Sequence, residues 1–185
     1  MNLYFYGGSF DPPHLGHKRI INYFYNCSDK FLVIPTFQSP QKNCKPISFF
    51  HRKEMLNIML KDLSNKLDIF DYENNNSIKY TFETIEFLKK EFPNHSLNMI
   101  LGVDQFNMID SWKNHKYILN NVGLSVISRP GYNLNMKNNK IKFVTDIELE
   151  VSSEYIKDNM ADIDKIKSML DQDVLNYIIK NNLYK

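Results

Sequence analysis

MNLYFYGGSFDPPHLGHKRIINYF (1–24) opens the chain and decides how the rest of it is read. Leu3, Tyr4, Phe5 and Tyr6 suit a strand, and Ile20, Ile21 and Phe24 recur at helical spacing. Between them GGSFDPPHLGH (7–17) crowds glycines, prolines and a pair of histidines into the join of strand and helix. Gly7 and Gly8 permit a tight turn with close backbone approach. The helix beginning near Gly16 offers unpaired N–H groups and a positive dipole end to a phosphate. The stretch does not continue as GxGxxG and lacks GK[ST], so neither common phosphate motif applies. His14 and His17, three residues apart at a helix start, project from nearly one face and bring two donors to one ligand.

Working outward, strands and helices alternate. KFLVIPT (30–36) is an apolar run closed by Pro35, as expected of a buried parallel strand. HRKEMLNIMLKDL (51–63) has helical spacing with Ser48 as its cap, and its stripe of Met55, Leu56, Ile58 and Met59 belongs to the core. LDIFDYE (67–73), LNMILG (97–102) and VGLSVIS (122–128) read as strands, and FETIEFLKKEF (82–92) as a helix stopped by Pro93. ENNNS (73–77) and NLNMKNNK (133–140) read as surface loops. From Ser152 onward the chain reads as helical, with Asp171 or Asp173 opening VLNYIIKNN. The pattern predicts an α/β fold: one Rossmann-like, doubly wound domain over 1–185, with a mostly parallel sheet and a helical C-terminal part over about 152–185. In such a sheet ligands bind beyond the carboxyl ends of the strands, where GGSFDPPHLGH lies.

Composition narrows the function classes. With 185 residues, 43% hydrophobic and 24% charged, the chain suits one globular domain. No run approaches the apolar length of a membrane span and no secretory signal opens the chain, so a cytoplasmic protein without membrane contact is expected. A formal charge of +2 is too small for a nucleic-acid surface. Cys27 and Cys44 form no CxxC motif and read as reduced bystanders.

GGSFDPPHLGH resembles the GG(T/S)FDPxHxGH signature of the HxGH nucleotidyltransferase superfamily. Within it the chain resembles the bacterial nicotinate-nucleotide adenylyltransferases nearly end to end. The resemblance continues through VIPTFQSPQK (33–42), ISFFHRKEML (47–56), KYTFET (79–84), ILGVDQF (100–106), SW (111–112), VISRPGY (126–132), VSSEYIK (151–157) and VLNYIIKNNLY (174–184). It implies transfer of the adenylyl group of ATP to nicotinate mononucleotide, giving deamido-NAD and pyrophosphate. The alternatives are the same chemistry on nicotinamide mononucleotide or phosphopantetheine, or a nucleotide-binding regulatory module without catalysis.

When a phosphate oxygen attacks the α-phosphorus, no protein nucleophile is needed, and catalysis consists of alignment and charge neutralisation. The resemblance puts His14 and His17 on the triphosphate, with Gly8, Ser9 and Phe10 near the α-phosphate. Lys42 and Lys157 supply positive charge, and Gly102, Asp104, Ser152 and Ser153 complete the ATP site. Tyr80, Thr81 and Trp112 take the acceptor, whose carboxylate suits a helix start. Mg²⁺ is expected to arrive with ATP, held by phosphate oxygens and water. Two segments depart from the family pattern. SPQK carries Ser39 and Gln41, and SSEYIK carries Lys157 where an arginine's bidentate fork is usual. Each assignment has a plainer rival: a capping pair for the histidines, a helix cap for Thr81 and Asp104, core packing for Trp112, and solvated charge for the two lysines.

Overall fold

Alternating side chains of Asn2–Gly8 (β1) divide between two cores. Leu3 and Phe5 turn to one face of the sheet and Tyr6 to the other, so the strand is buried on both sides. The computed structural model describes residues 1–37, 46–63, 65–128, 141–144 and 151–184. After β1 come Leu15–Tyr25 (α1), Lys30–Pro35 (β2), Phe49–Met59 (α2), Leu67–Ile69 (β3), Tyr72–Asn75 (α3), Thr81–Glu91 (α4) and Ser96–Gly102 (β4). Val103–Asn107 (α5), a 3-10 turn at Ile109–Ser111, His115–Asn121 (α6), Gly123–Ile127 (β5) and Ile141–Val144 (β6) follow. Ser153–Asp158 (α7), Ile163–Ile166 (α8), a 3-10 turn at Lys167–Met169 and Gln172–Lys180 (α9) complete the chain.

The strands lie in the order β3-β2-β1-β4-β5-β6, and every pairing is parallel, where a mostly parallel sheet was expected. The order reverses between β1 and β4, so the connections leave these neighbours in opposite directions and a crevice opens at their carboxyl ends. Helices α1, α2 and α9 pack Ile21, Phe24, Met55, Leu56 and Val174 on one face, joined by Ile156 of α7 and Ile166 of α8. Helices α4, α5 and α6 close the other with Ile85, Leu88, Phe106 and Ile118. Each such side chain contributes roughly 1.5–3 kcal/mol on burial.

Three expectations are corrected. The strand read over 67–73 ends at Ile69, because Phe70 and Tyr72 turn into an aromatic stack with Phe87 of α4, the Tyr72 and Phe87 centroids 3.7 Å apart. ENNNS is not all loop, since α3 runs through Asn75. The helix expected at 51–63 spans Phe49–Met59. Ser48 caps it as expected, its hydroxyl accepting from the His51 N–H at 3.4 Å. Asp171, not Asp173, caps α9, and its carboxylate also binds Lys18 of α1 at 2.8 Å. NLNMKNNK and Cys44 lie outside the described residues. Among the described residues no helix is long and apolar enough to cross a membrane.

Candidate active site

Between Gly8, where β1 ends, and Leu15, where α1 begins, the turn is fixed from several sides. Phe10 adopts a left-handed backbone, φ 48°, a conformation costing an L-residue roughly 1–2 kcal/mol. Burial of its ring, 1% exposed, offsets that cost. A Cβ at Gly8 would stand 3.2 Å from this ring, so the glycine lets Phe10 fold under the strand end. The Ser9 carbonyl accepts a hydrogen bond from the Arg52 guanidinium at 2.7 Å, and the Pro12 carbonyl one from the Ser153 hydroxyl at 2.9 Å. Asp11 accepts from the Tyr184 hydroxyl at 2.9 Å and the Ile47 N–H at 3.4 Å through Oδ1. Its Oδ2 takes the Lys157 ammonium at 3.3 Å.

His14 is the N-cap residue of α1, and its backbone N–H donates to His17 Nδ1 at 3.2 Å. That bond makes Nδ1 an acceptor, which leaves the neutral ring's proton on Nε2 as a donor. The two imidazoles stack with centroids 3.7 Å apart, and the Phe10 ring meets His17 at 4.9 Å. The pair caps the helix, and both residues line the same cavity.

That cavity, about 790 Å³, lies at the crevice between β1 and β4. Gly8, Ser9, Phe10 and the two histidines line it; Gly102 and Asp104 join from the end of β4, and Ser152 and Ser153 from the start of α7. Tyr80, Thr81 and Trp112 line it as well. Asp104 stands in the first turn of α5, whose cap is Gly102. Ser152 caps α7, its hydroxyl accepting from the Tyr155 N–H at 3.1 Å. Lys157 reaches Asp11 and is not part of the lining, and Lys42 lies outside the described residues.

Tyr80, not Thr81, is the cap residue of α4. The Tyr80 N–H donates to the Glu83 carboxylate at 3.2 Å. Lys113 sets its ammonium 4.2 Å from the Tyr80 ring centroid, and Lys79 also lines the cavity. Trp112 is half-buried against the α4–α6 core while lining the cavity, and its buried Nε1 has no hydrogen-bond acceptor among the described residues.

Sequence reasoning missed Arg52, Glu73, Lys113 and Tyr184. Arg52 is 1% exposed and donates also to the Ile47 carbonyl at 3.2 Å. Burial holds its guanidinium below the ordinary value, with Asp11 and Tyr184 opposing. One signal was available: Arg52 shares a helix face with Met55 and Leu56, where a charge is out of place. Burial, reinforced by Asp11, pushes the Tyr184 phenol up, so it stays a donor. Burial likewise pushes the Glu73 carboxyl from 4.5 up to about 7, against hydrogen bonds from Thr84 and the Phe37 backbone and with Glu83 adding to the rise.

Comparisons with known proteins bear on the family and the fold. The family model described as cytidylyltransferase-like matches residues 5–159. The chain is 34% identical over 190 residues to the probable nicotinate-nucleotide adenylyltransferase of Borreliella afzelii, covering 100% of this chain and 97% of that one. It is 30% identical over 184 residues to the nicotinate-nucleotide adenylyltransferase of Bacillus subtilis, covering 97% and 96%. In fold it is similar to Plasmodium falciparum nicotinic acid mononucleotide adenylyltransferase complexed with NaAD, with a TM-score of 0.85 at 23% identity over 99% of this chain and 97% of that one.

Proposed function

The chain belongs to the cytidylyltransferase-like family and, within it, to the nicotinate-nucleotide adenylyltransferases, and we propose from that premise that it transfers the adenylyl group of ATP to nicotinate mononucleotide. A phosphate oxygen of the mononucleotide attacks the α-phosphorus, the bond from that phosphorus to the β-bridging oxygen breaks, and deamido-NAD and pyrophosphate result. The acceptor phosphate is already ionised at neutral pH, so no base is needed, and the protein's task is alignment and charge neutralisation.

The observation that carries this reading is one cavity at the β1/β4 switch point lined by the histidine pair and by Tyr80, Thr81 and Trp112. In it His17 Nε2–H and the His14 ring donate to triphosphate oxygens, where charge grows as pyrophosphate leaves. The turn at Ser9 and Phe10 approaches the α-phosphate, and Asp104 with Gly102 holds the nucleoside. Ser152 and Ser153 complete the ATP end. Lys157, parked on Asp11, reaches the phosphates by rotating its flexible stem, and Lys42 adds charge from the SPQK segment. Trp112 gives the pyridine ring a flat face, and the first-turn amides of α4 with Lys113 favour its carboxylate.

Among the described residues no three of His, Cys, Asp and Glu converge to hold a metal ion. Mg²⁺ carried by triphosphate oxygens and water would neutralise charge on the leaving pyrophosphate. A cytoplasmic setting suits an enzyme of NAD biosynthesis working on these two nucleotides, and 1–185 is read as one nucleotidyltransferase domain.

The test is pyrophosphate release from ATP and Mg²⁺ with nicotinate mononucleotide, nicotinamide mononucleotide and phosphopantetheine in parallel. The nicotinate form is expected to win over its amide by at least about tenfold in kcat/KM. Preference for another acceptor moves the substrate assignment, and silence with all three leaves a nucleotide-binding module.

A further inference from the structure

One carboxyl in the cavity wall has no part in the phosphoryl chemistry. Glu73 of α3 lines the cavity, and its Oε1 accepts from the Thr84 hydroxyl at 2.7 Å while the Phe37 backbone N–H also donates to the carboxyl. Thr84 lies three residues after Thr81 on α4. Thr84, which holds the carboxyl, therefore stands about one helical turn, roughly 5 Å along the axis, from Thr81 at the helix start. The charged groups around it come from each neighbouring element. Glu83 lies in the first turn of α4, with its carboxylate on the Tyr80 N–H. Asp71, just before α3, is held by Lys53 of α2 at 3.0 Å. Lys79 precedes α4, and Lys113 reaches over Tyr80 from beyond the 3-10 turn.

We propose that Glu73 is a specificity-determining residue of the acceptor pocket: protonated, it admits a ring carboxylate beside Tyr80 and Thr81, and ionised, it turns the pocket toward the uncharged carboxamide. This rests on the function read above. At a separation of about 10 Å and an effective dielectric of about 20, one negative charge changes affinity for an anion by roughly tenfold and leaves a neutral amide nearly untouched. Lys79 and Lys113 line the same cavity, whereas Glu73, pushed up to about 7, gains and loses its charge within the assay range. Its ties to Thr84 and Phe37 keep the carboxyl in place in both states, so what changes is charge and not shape.

The experiment measures kcat/KM for nicotinate and nicotinamide mononucleotides from pH 5.5 to 8.5 with saturating ATP and Mg²⁺. The acceptor phosphate titrates alike in both substrates and cancels in their ratio. In the wild type the nicotinate-to-nicotinamide ratio is expected to fall about tenfold across the range. In Glu73→Gln, which keeps an acceptor for Thr84 and stays neutral, the ratio is expected to remain at its low-pH value throughout. A flat ratio in the wild type, or an equal fall in Glu73→Gln, overturns the proposal. The wild-type arm decides alone should the variant fail to fold. Turnover of neither mononucleotide removes the parent reading and this one together, whereas good turnover with a flat ratio removes only the role of Glu73.

Discussion

Replacing Arg52 by methionine keeps most of its volume and removes both of its donors. The Ser9 and Ile47 carbonyls, bound at 2.7 and 3.2 Å, would then lie without partners in a region where the guanidinium itself is 1% exposed. Leaving a buried carbonyl unsatisfied costs about 1–3 kcal/mol each. Part of this is returned, because the burial that holds the Arg52 pKa down is a standing cost of the native state that methionine does not carry. The net loss comes to about 3 kcal/mol, a drop in Tm of roughly 6–12 °C for a chain of this size. Arg52→Lys keeps the charge but not the fork, so it should retain one bond and fall about halfway between. Thermal unfolding by circular dichroism gives the stabilities. Steady-state kinetics at 25 °C report the site: a freed Ser9 carbonyl should raise KM for ATP before it affects KM for the acceptor. A methionine variant melting within about 2 °C of the wild type with unchanged kinetics would refute the reasoning.

His14→Ala and His17→Ala should each lower kcat by about 10²–10³-fold if their donors act on charge that grows in the transition state, with stability reduced by no more than about 2 kcal/mol from loss of the cap. Near-normal turnover in both would end that assignment. Trp112→Ala should raise KM for the mononucleotide more than KM for ATP, read from paired saturation curves. Stability should also depend on Glu73. Its native pKa of about 7 lies above the ordinary 4.5, so the folded state holds the extra proton between these values. The favourable contribution is present below pH 4.5 and is lost as pH rises through 7, on the order of 3 kcal/mol in all. Urea melts at pH 5 and pH 8 should show that fall in the wild type and not in Glu73→Gln.

What the sequence disclosed depended on how local the determinant was. β1, the GGSFDPPHLGH turn and α1 were legible because strand period, turn residues and helix period follow one another without a gap. β3 was over-extended because Phe70 and Tyr72 look like strand residues when their aromatic character serves the stack on Phe87. Helices α3, α5, α6 and α8, of four to seven residues, are too short for periodicity to declare itself. In the site, the histidines and the β4 end could be named because they sit in motifs. Arg52 showed only as a charge on an apolar helix face and Tyr184 not at all, since their roles lie in partners 43 and 173 residues away. Thr81 was read as a cap because threonine suits that place, and Tyr80 took it because the Glu83 side chain supplies the reciprocal bond.

The Tyr184 hydroxyl on Asp11 joins positions separated by 173 residues. During synthesis the loop carrying the histidines is made 173 residues before the group that closes on it. Nascent chains fold from the N-terminus, and contacts of such separation are made late. A ribosome-bound chain can therefore pair β1 with β2 and β4 while Asp11 still lacks its final partner, so the earliest part of the site to be synthesised is among the last to be set.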